Sequence, residues 1–301
     1  MSMIKVTGLT KSFGNFKSLD NLNINVKEGS VYGLIGPNGA GKTTFIKNLM
    51  GIYRPDSGSI EFDGKPIYEN IDAKKDIVYI CDDLYFFPTY SIMDMAKYYE
   101  GLYPNWDWEM FEALKPLYNI DVNRKVRRLS KGMQKQVAFW LGICAKPRLM
   151  VLDEPVDGLD PVMRRNTWKI VLQAVAENDL TVLVSSHNLR ELEDVCDHVG
   201  IMFEGKVVIE KSLDDVKGNI HKVQTAFLDK MPDELKNNLE ILHSSTFGSV
   251  NLLIVKGSIE KIKETIDQYN PLILDILPLS LEEVFIYELG GMGYEFKNLI
   301  I

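Results

Sequence analysis

The stretch VYGLIGPNGAGKTTFIKNLMGIY, Val31 to Tyr53, decides the fold. Its opening VYGLI is wholly apolar, as a strand buried on both faces must be. Its close, TTFIKNLMGIY, has the spacing of a helix. Between them GPNGAGKTT fits the pattern G-x-x-x-x-G-K-[ST], a glycine-rich loop between strand and helix that cradles phosphate. The N–H groups of Gly36, Asn38, Gly39, Ala40 and Gly41 would wrap the phosphates, with Pro37 shaping the turn without a donor of its own. The helix that begins at Lys42, Thr43 and Thr44 would present its positive end to the anion. Lys42 is expected on the β- and γ-phosphates, and the Thr43 hydroxyl on Mg²⁺. The fold class that follows is α/β, a P-loop nucleotide-hydrolase core.

Binding phosphate is not hydrolysis, and the second decisive stretch lies further on. Leu149 to Leu152 (LMVL) is another apolar strand, and it ends in Asp153, Glu154 and Pro155. Ligands of open α/β sheets bind at the carboxyl ends of strands, so both acids should face the nucleotide. Asp153 is expected to hold Mg²⁺ through its water shell. Glu154 is the candidate general base that polarises the attacking water. A third apolar strand, TVLVSSH, delivers His187 at its end, beside the expected γ-phosphate. Lys42, Glu154 and His187 form the candidate catalytic set. His198, His221 and His243 have no such setting.

Composition narrows the classes. A chain of 301 residues can bury one large α/β core and carry an appendage. Its formal net charge of -8 argues against nucleic acid as a partner, which asks for a basic face. Cys81, Cys144 and Cys196 are scattered, without the spacing of a zinc site or a disulfide framework, which suits a reducing cytosol. The N-terminal MSMIKVTGLT lacks the apolar core of a signal peptide. No run approaches the ~18–20 apolar residues that cross a bilayer. Service to a membrane would therefore run through a partner, from the cytoplasmic face.

Between the acidic strand and the phosphate loop lies LSKGMQKQ, Leu129 to Gln136. With the phosphate loop, LMVLDE and His187, in this order, it resembles the ATP-binding-cassette (ABC) transporter ATP-binding subunits, whose signature is written LSGGQ. The likeness covers about residues 3–215. It implies ATP and Mg²⁺ as ligands and a head-to-tail pair of cassettes, the second a copy or a homologous subunit. It implies that Ser130, Lys131 and Gly132 act on the nucleotide held by that second subunit. Gly158, Leu159 and Asp160 match the loop that contacts the paired cassette, and Phe13 (or its neighbour Phe16) the aromatic that stacks on adenine. Three departures stand out. Lys131 replaces a glycine, which puts a cation at a helix start unless a phosphate sits opposite; a solvated lysine is the alternative. Met133 replaces a glutamine, which points to packing. Asp82, in IVYICDDLYFFP, replaces the glutamine that senses Mg²⁺ and the membrane partner. Asp82 could ligate Mg²⁺ or its water as an amide carbonyl does, and should it approach the nucleotide, Mg²⁺ or a lysine must offset its charge.

Aromatic residues crowd the stretch from Tyr85 to Phe111, with helical spacing in SIMDMAKYYEGLY and DWEMFEALKPLY. By the resemblance this is a helical insert whose groove receives the transmembrane permease, a separate chain. Tyr85, Phe86, Phe87 and Tyr90, beside Asp82, are the candidate groove; the other reading gives many of these aromatics to the insert's own core. The expected organisation is a core over 1–81 and 147–218, with N-terminal antiparallel strands, a helical signature subdomain over 82–146, and a small α+β subdomain over 219–301. In that tail KVQTAFL, SVNLLIVKG and PLILDIL read as strands and SIEKIKETIDQY as a helix. A helix is expected again over LSLEEVFIYELGG, and FKNLII could dock on a neighbour. Its LEEVF-like segment is similar to tails of bacterial exporter cassettes (the ABC-2-like branch), which handle peptides, antibiotics and amphipathic compounds. Import, a soluble cassette acting on ribosomes or DNA, and a regulator without catalysis are the competing readings.

Overall fold

The computed structural model describes residues 1–156, 158–213, 215, 220–228, 231–277, 279, 280 and 283. The final expected helix falls largely outside these, and the terminal FKNLII and the 218/219 boundary do so entirely. The chain divides into two compact units. One comprises Met1–Asn188 with Val195–Glu210, the other Leu189–Asp194 with Lys211–Ile301.

The first unit opens with β1 (Ser2–Phe13) and β2 (Phe16–Lys27), then β3 (Val31–Ile35), α1 (Lys42–Leu49), β4 (Ser57–Phe62) and β5 (Lys65–Pro66). There follow α2 (Ile71–Lys74), β6 (Ile77–Ile80), α3 (Ile92–Leu102), α4 (Trp108–Tyr118) and α5 (Lys131–Cys144). Next come β7 (Leu149–Asp153), α6 (Pro161–Asn178), β8 (Thr181–Ser186), α7 (Leu189–Leu192, counted with the second unit), β9 (His198–Phe203) and β10 (Lys206–Ser212). Two sheets result. β2-β1-β4-β5 is antiparallel, and β10-β9-β3-β8-β7-β6 is parallel from β9 to β6. Strands β3, β7 and β8 are buried at every position, which is why they read as unbroken apolar runs. In β1 and β2 burial alternates, so one face meets the core and the other meets solvent. Their inner residues, Ile4, Val6, Leu22 and Ile24 among them, pack with Phe45 and Ile46 of α1 and with Leu149 and Leu183 of the parallel sheet.

Helices α3 to α5 fill the interval between β6 and β7. Ser91 and Asp94 form a reciprocal capping box on α3, and Asp107 caps α4. Buried Trp140 of α5 stacks on Phe111 at 4.6 Å and on Tyr118 at 5.4 Å, which ties α5 to α4. Part of the aromatic crowding is therefore this segment's own core.

The second unit holds β11 (Ile220–Ala226), α8 (Asp233–Asn238), β12 (Glu240–Phe247), β13 (Val250–Lys256), α9 (Ile259–Asp267) and β14 (Ile273–Leu277). Spatial order is β12-β13-β11-β14 and every pair is antiparallel, the split βαβ arrangement of ferredoxin-like domains. Val223, Leu253 and Val255 of the sheet pack with Ile262 and Ile266 of α9. The sequence reading lacked β12 and α8, because β12 is an edge strand exposed along most of its length and so carries little hydrophobic pattern.

Candidate active site

Three strand ends meet at one rim. Leu34 of β3 pairs in register with Ser185 of β8, and Ser185 with Asp153 of β7. The residues that leave these strands, Gly36, Glu154 and His187, therefore emerge side by side at the carboxyl edge of the sheet.

The loop from Gly36 to Gly41 is packed from behind. A Cβ on Gly36 would lie 2.3 Å from the Met202 carbonyl oxygen, and one on Gly41 2.6 Å from that of Ser18. Gly41 also holds φ +109°, which side chains rarely adopt. Helix α1 starts on it with no side-chain cap and no acid in its first turn. Its first N–H groups and positive end are thus left for an anion. Ala40 is buried, and the Ser18 hydroxyl donates to Thr44 Oγ1 at 2.9 Å.

Lys42 is 5% exposed. Its Nζ donates to the Gly36 carbonyl at 2.6 Å and lies 3.5 Å from Glu154 Oε1. Burial draws its pKa below the usual lysine value, while Glu154 and Asp153 oppose that shift. Asp153 is buried; its Oδ1 accepts from Ser185 Oγ at 2.6 Å and from Thr43 Oγ1 at 3.4 Å. This pair of hard oxygens beside a phosphate loop fits a Mg²⁺ ion.

Glu154 sits at φ +47°, a left-handed conformation uncommon for a side-chain-bearing residue. Its N–H donates to the Ser185 carbonyl at 3.2 Å and lies 3.3 Å from Ser185 Oγ; its carbonyl accepts from Lys135 Nζ at 2.8 Å. Its Oε2 lies 3.0 Å from His187 Nδ1 and accepts the His187 N–H at 3.4 Å. The turn thus aims one carboxylate oxygen at Lys42 and the other at His187. Phe13, Phe16, Pro37, Asn38, Gly39 and Asp82 join Lys42, Thr43, Asp153 and Glu154 around a cleft of about 470 Å³, which His187 adjoins through Glu154 without lining it. Phe13 is 45% exposed, with its ring edge-to-face on Tyr53 and the Lys11 ammonium 5.7 Å from its centroid, and Phe16 is 64% exposed.

Other expected residues lie elsewhere. Ser130, Lys131 and Gly132 do not line this cleft. The Ser130 hydroxyl caps α5, accepting the Met133 N–H, and Lys131 is exposed without an ion pair among the described residues. A Cβ on Gly132 would fall 2.6 Å from the Gly158 carbonyl oxygen, so this glycine has a reason within its own chain. Leu159 is buried, and the Asp160 carboxylate caps α6 by accepting from the N–H groups of Val162 and Met163. Of the four candidate groove aromatics, Tyr85 is 78% exposed, Phe87 is exposed, Tyr90 is half-buried and Phe86 is buried.

Sequence reasoning missed Ser185 and Lys135. The two serines that close the apolar run TVLV, just ahead of His187, were a signal for the first. A lysine just ahead of the apolar run VAFW, on the same helix, was a signal for the second.

Residues 19–157 match the family model described as ABC transporter. The chain is 31% identical to the ABC transporter ATP-binding protein YtrB of Bacillus subtilis (strain 168), over 96% of this chain and 99% of YtrB. It is also 31% identical to the bacitracin transport ATP-binding protein BcrA of Bacillus licheniformis, over 96% and 98% of the two chains. Among solved structures, the ADP conformation of MJ1267, an ATP-binding cassette of an ABC transporter, matches with a TM-score of 0.60 at 26% identity, covering 72% of this chain and 94% of that one. The fold, the phosphate loop and the acidic strand end define an ATP-hydrolysing cassette. The chain belongs to the ATP-binding subunits of ABC transporters.

Proposed function

We propose that this ATPase drives a separate transmembrane protein that exports peptides, antibiotics or other amphipathic compounds, and that it works as one of a pair of cassettes at the cytoplasmic face of the membrane. The observation that supports the catalytic part best is the Glu154 carboxylate, held between Lys42 at 3.5 Å and His187 at 3.0 Å in the cleft of the phosphate loop. In this reading Lys42 and the loop from Gly36 to Thr44 bind the phosphates, and Phe13, with Phe16 as its neighbour, stacks on adenine. Thr43 and Asp153 hold Mg²⁺, with Asp82 toward its water shell. Bound Mg²⁺ supplies positive charge against that developing on the phosphates. Phosphate draws Lys42 away from Glu154, which frees a carboxylate to take the proton of the attacking water. His187 keeps that carboxylate turned toward the nucleotide.

Ser130, Lys131 and Gly132 do not line the cleft of their own chain, which favours action on the nucleotide of a second cassette, with Gly158–Asp160 at the contact. None of the described helices is long and apolar enough to cross a membrane, so the crossing is assigned to another chain. The exposed Tyr85 and Phe87 offer that chain an aromatic anchor. Export rests on BcrA, a bacitracin transport protein matched over 98% of its length.

Two measurements test this. Glu154→Gln is expected to bind ATP normally and to lower MgATP turnover by about 10²-fold or more; turnover near that of the parent chain removes Glu154 as base. Deleting the chain from its host is expected to raise sensitivity to bacitracin or related peptides. Unchanged sensitivity, with ATP turnover intact, overturns export and leaves the ATPase.

A further inference from the structure

We infer that Lys135, on the signature helix, is a positioning residue that couples Asp82 to the backbone of Glu154. The inference rests on the assignment of Glu154 as general base. Lys135 is 5% exposed, and a buried ammonium must find partners. It has two among the described residues: the Glu154 carbonyl at 2.8 Å and Asp82 Oδ1 at 3.3 Å. These come from different parts of the chain. Asp82 follows β6 at the edge of the cleft, beside the exposed Tyr85. Glu154 follows β7.

The Glu154 peptide needs such a hold. At φ +47° a residue with a side chain persists only where its surroundings fix it. Ser185 grips the N–H side through its carbonyl and hydroxyl. Lys135 grips the carbonyl side. Without Lys135, the turn that aims the carboxylate at Lys42 and His187 loses one of its two clamps. An error of about 1 Å in placing a reacting group is enough to cost ~10²-fold in rate.

The pair also gives a reason for Asp82. A glutamine at this place would leave the buried Lys135 ammonium without an anion, whereas the Asp82 carboxylate supplies one at 3.3 Å. The Asp82 side chain is 60% exposed while that of Lys135 is 6% exposed, so the carboxylate is the mobile end of the pair. A group that pulls Asp82 outward takes from Lys135 its only carboxylate partner among the described residues. That alters how Lys135 holds Glu154, and it links the surface beside Tyr85 to the base through two side chains.

The test is steady-state MgATP hydrolysis by the full chain, at protein concentrations where turnover per chain is constant. Lys135→Met keeps the length and removes the donors. It is expected to lower kcat by about 10- to 100-fold while KM for ATP stays within about twofold, because the phosphate loop is untouched. Glu154→Gln, run alongside, reports on the base itself. If Glu154→Gln is inactive and Lys135→Met turns over normally, Lys135 has no positioning role. If Glu154→Gln is active, the reading beneath the inference fails. Should Lys135→Met not fold, the pair Lys135→Gln and Asp82→Gln decides. A neutral amide at 135 still donates to the Glu154 carbonyl, and a neutral 82 no longer needs a cation. The double variant is expected to lose less in kcat than the product of the two single losses. Multiplicative losses overturn the coupling.

Discussion

Gly132 illustrates how one residue can serve two masters. The family resemblance assigns it to a nucleotide held elsewhere, yet its own chain already forbids a side chain there. A Cβ would meet the Gly158 carbonyl oxygen at 2.6 Å, closer than such contacts come, so one of the two backbones must shift to admit it. Gly132→Ala is expected to destabilise the chain by about 1–3 kcal/mol, the cost of overpacking a tight contact. Urea unfolding of the purified chain measures it. A midpoint equal to the parent's would mean that the loop around Gly158 moves aside at no cost. Glu154 shows the complementary case, in which the backbone is unusual and the side chain benefits. Its left-handed turn costs on the order of 1–3 kcal/mol, offset by bonds from Ser185 and Lys135, and it sets one carboxylate oxygen toward Lys42 and the other toward His187.

Among the elements, the helices of the insert are fixed at their starts. Asp107 caps α4 by accepting the Met110 N–H at 2.8 Å and pairs with Lys146. The Lys146 hydrogen bond, and after it the Met110 N–H, hold the Asp107 carboxyl below its usual pKa. A carboxyl whose pKa is depressed by folding stabilises the folded chain above its unfolded value, near 4. That contribution is lost as pH falls through the lower, folded value. Asp107→Ala is expected to cost about 1 kcal/mol at pH 7, the ordinary worth of such a cap. The variant's deficit should shrink as pH drops below about 4, where the parent's own carboxyl protonates. Thermal melting across pH 3 to 7 measures this, and a deficit independent of pH would show that the cap's charge is not involved.

For the whole molecule, the division into two units has a consequence for stability. Leu253 of β13 is fully buried in the core of the second unit, with Val223, Val255 and Ile262. Leu253→Ala is expected to cost about 2–5 kcal/mol there. The core partners of Leu253 all belong to the second unit, so ATP affinity in the cleft of the first unit should stay within about twofold. Hydrogen exchange followed along the chain would show faster exchange across β11 and β13, with the amides of β3 and β7 unchanged. Loss of protection in both units together would mean that they unfold as one.

Sequence alone determined the class of this protein, because its decisive features are local. A buried parallel strand must be apolar throughout, and a phosphate loop needs its glycines, lysine and threonine in a fixed order. Thus β3, β7 and β8, the loop Gly36–Thr44 and the acids Asp153 and Glu154 were legible at once. So was much of the tail, where strands and one amphipathic helix keep clean periods. The tertiary structure decided what depends on register and on contacts between distant segments. That Ser185 meets Asp153 follows from strand pairing 32 residues apart in sequence. That Lys135 answers the charge of Asp82 follows from α5 packing beside the end of β6, 53 residues away. That Phe86 is buried while Tyr85 and Phe87 are exposed depends on how one loop turns. Composition weighs a residue's tendency to be inside; only the folded chain supplies the surface that covers it.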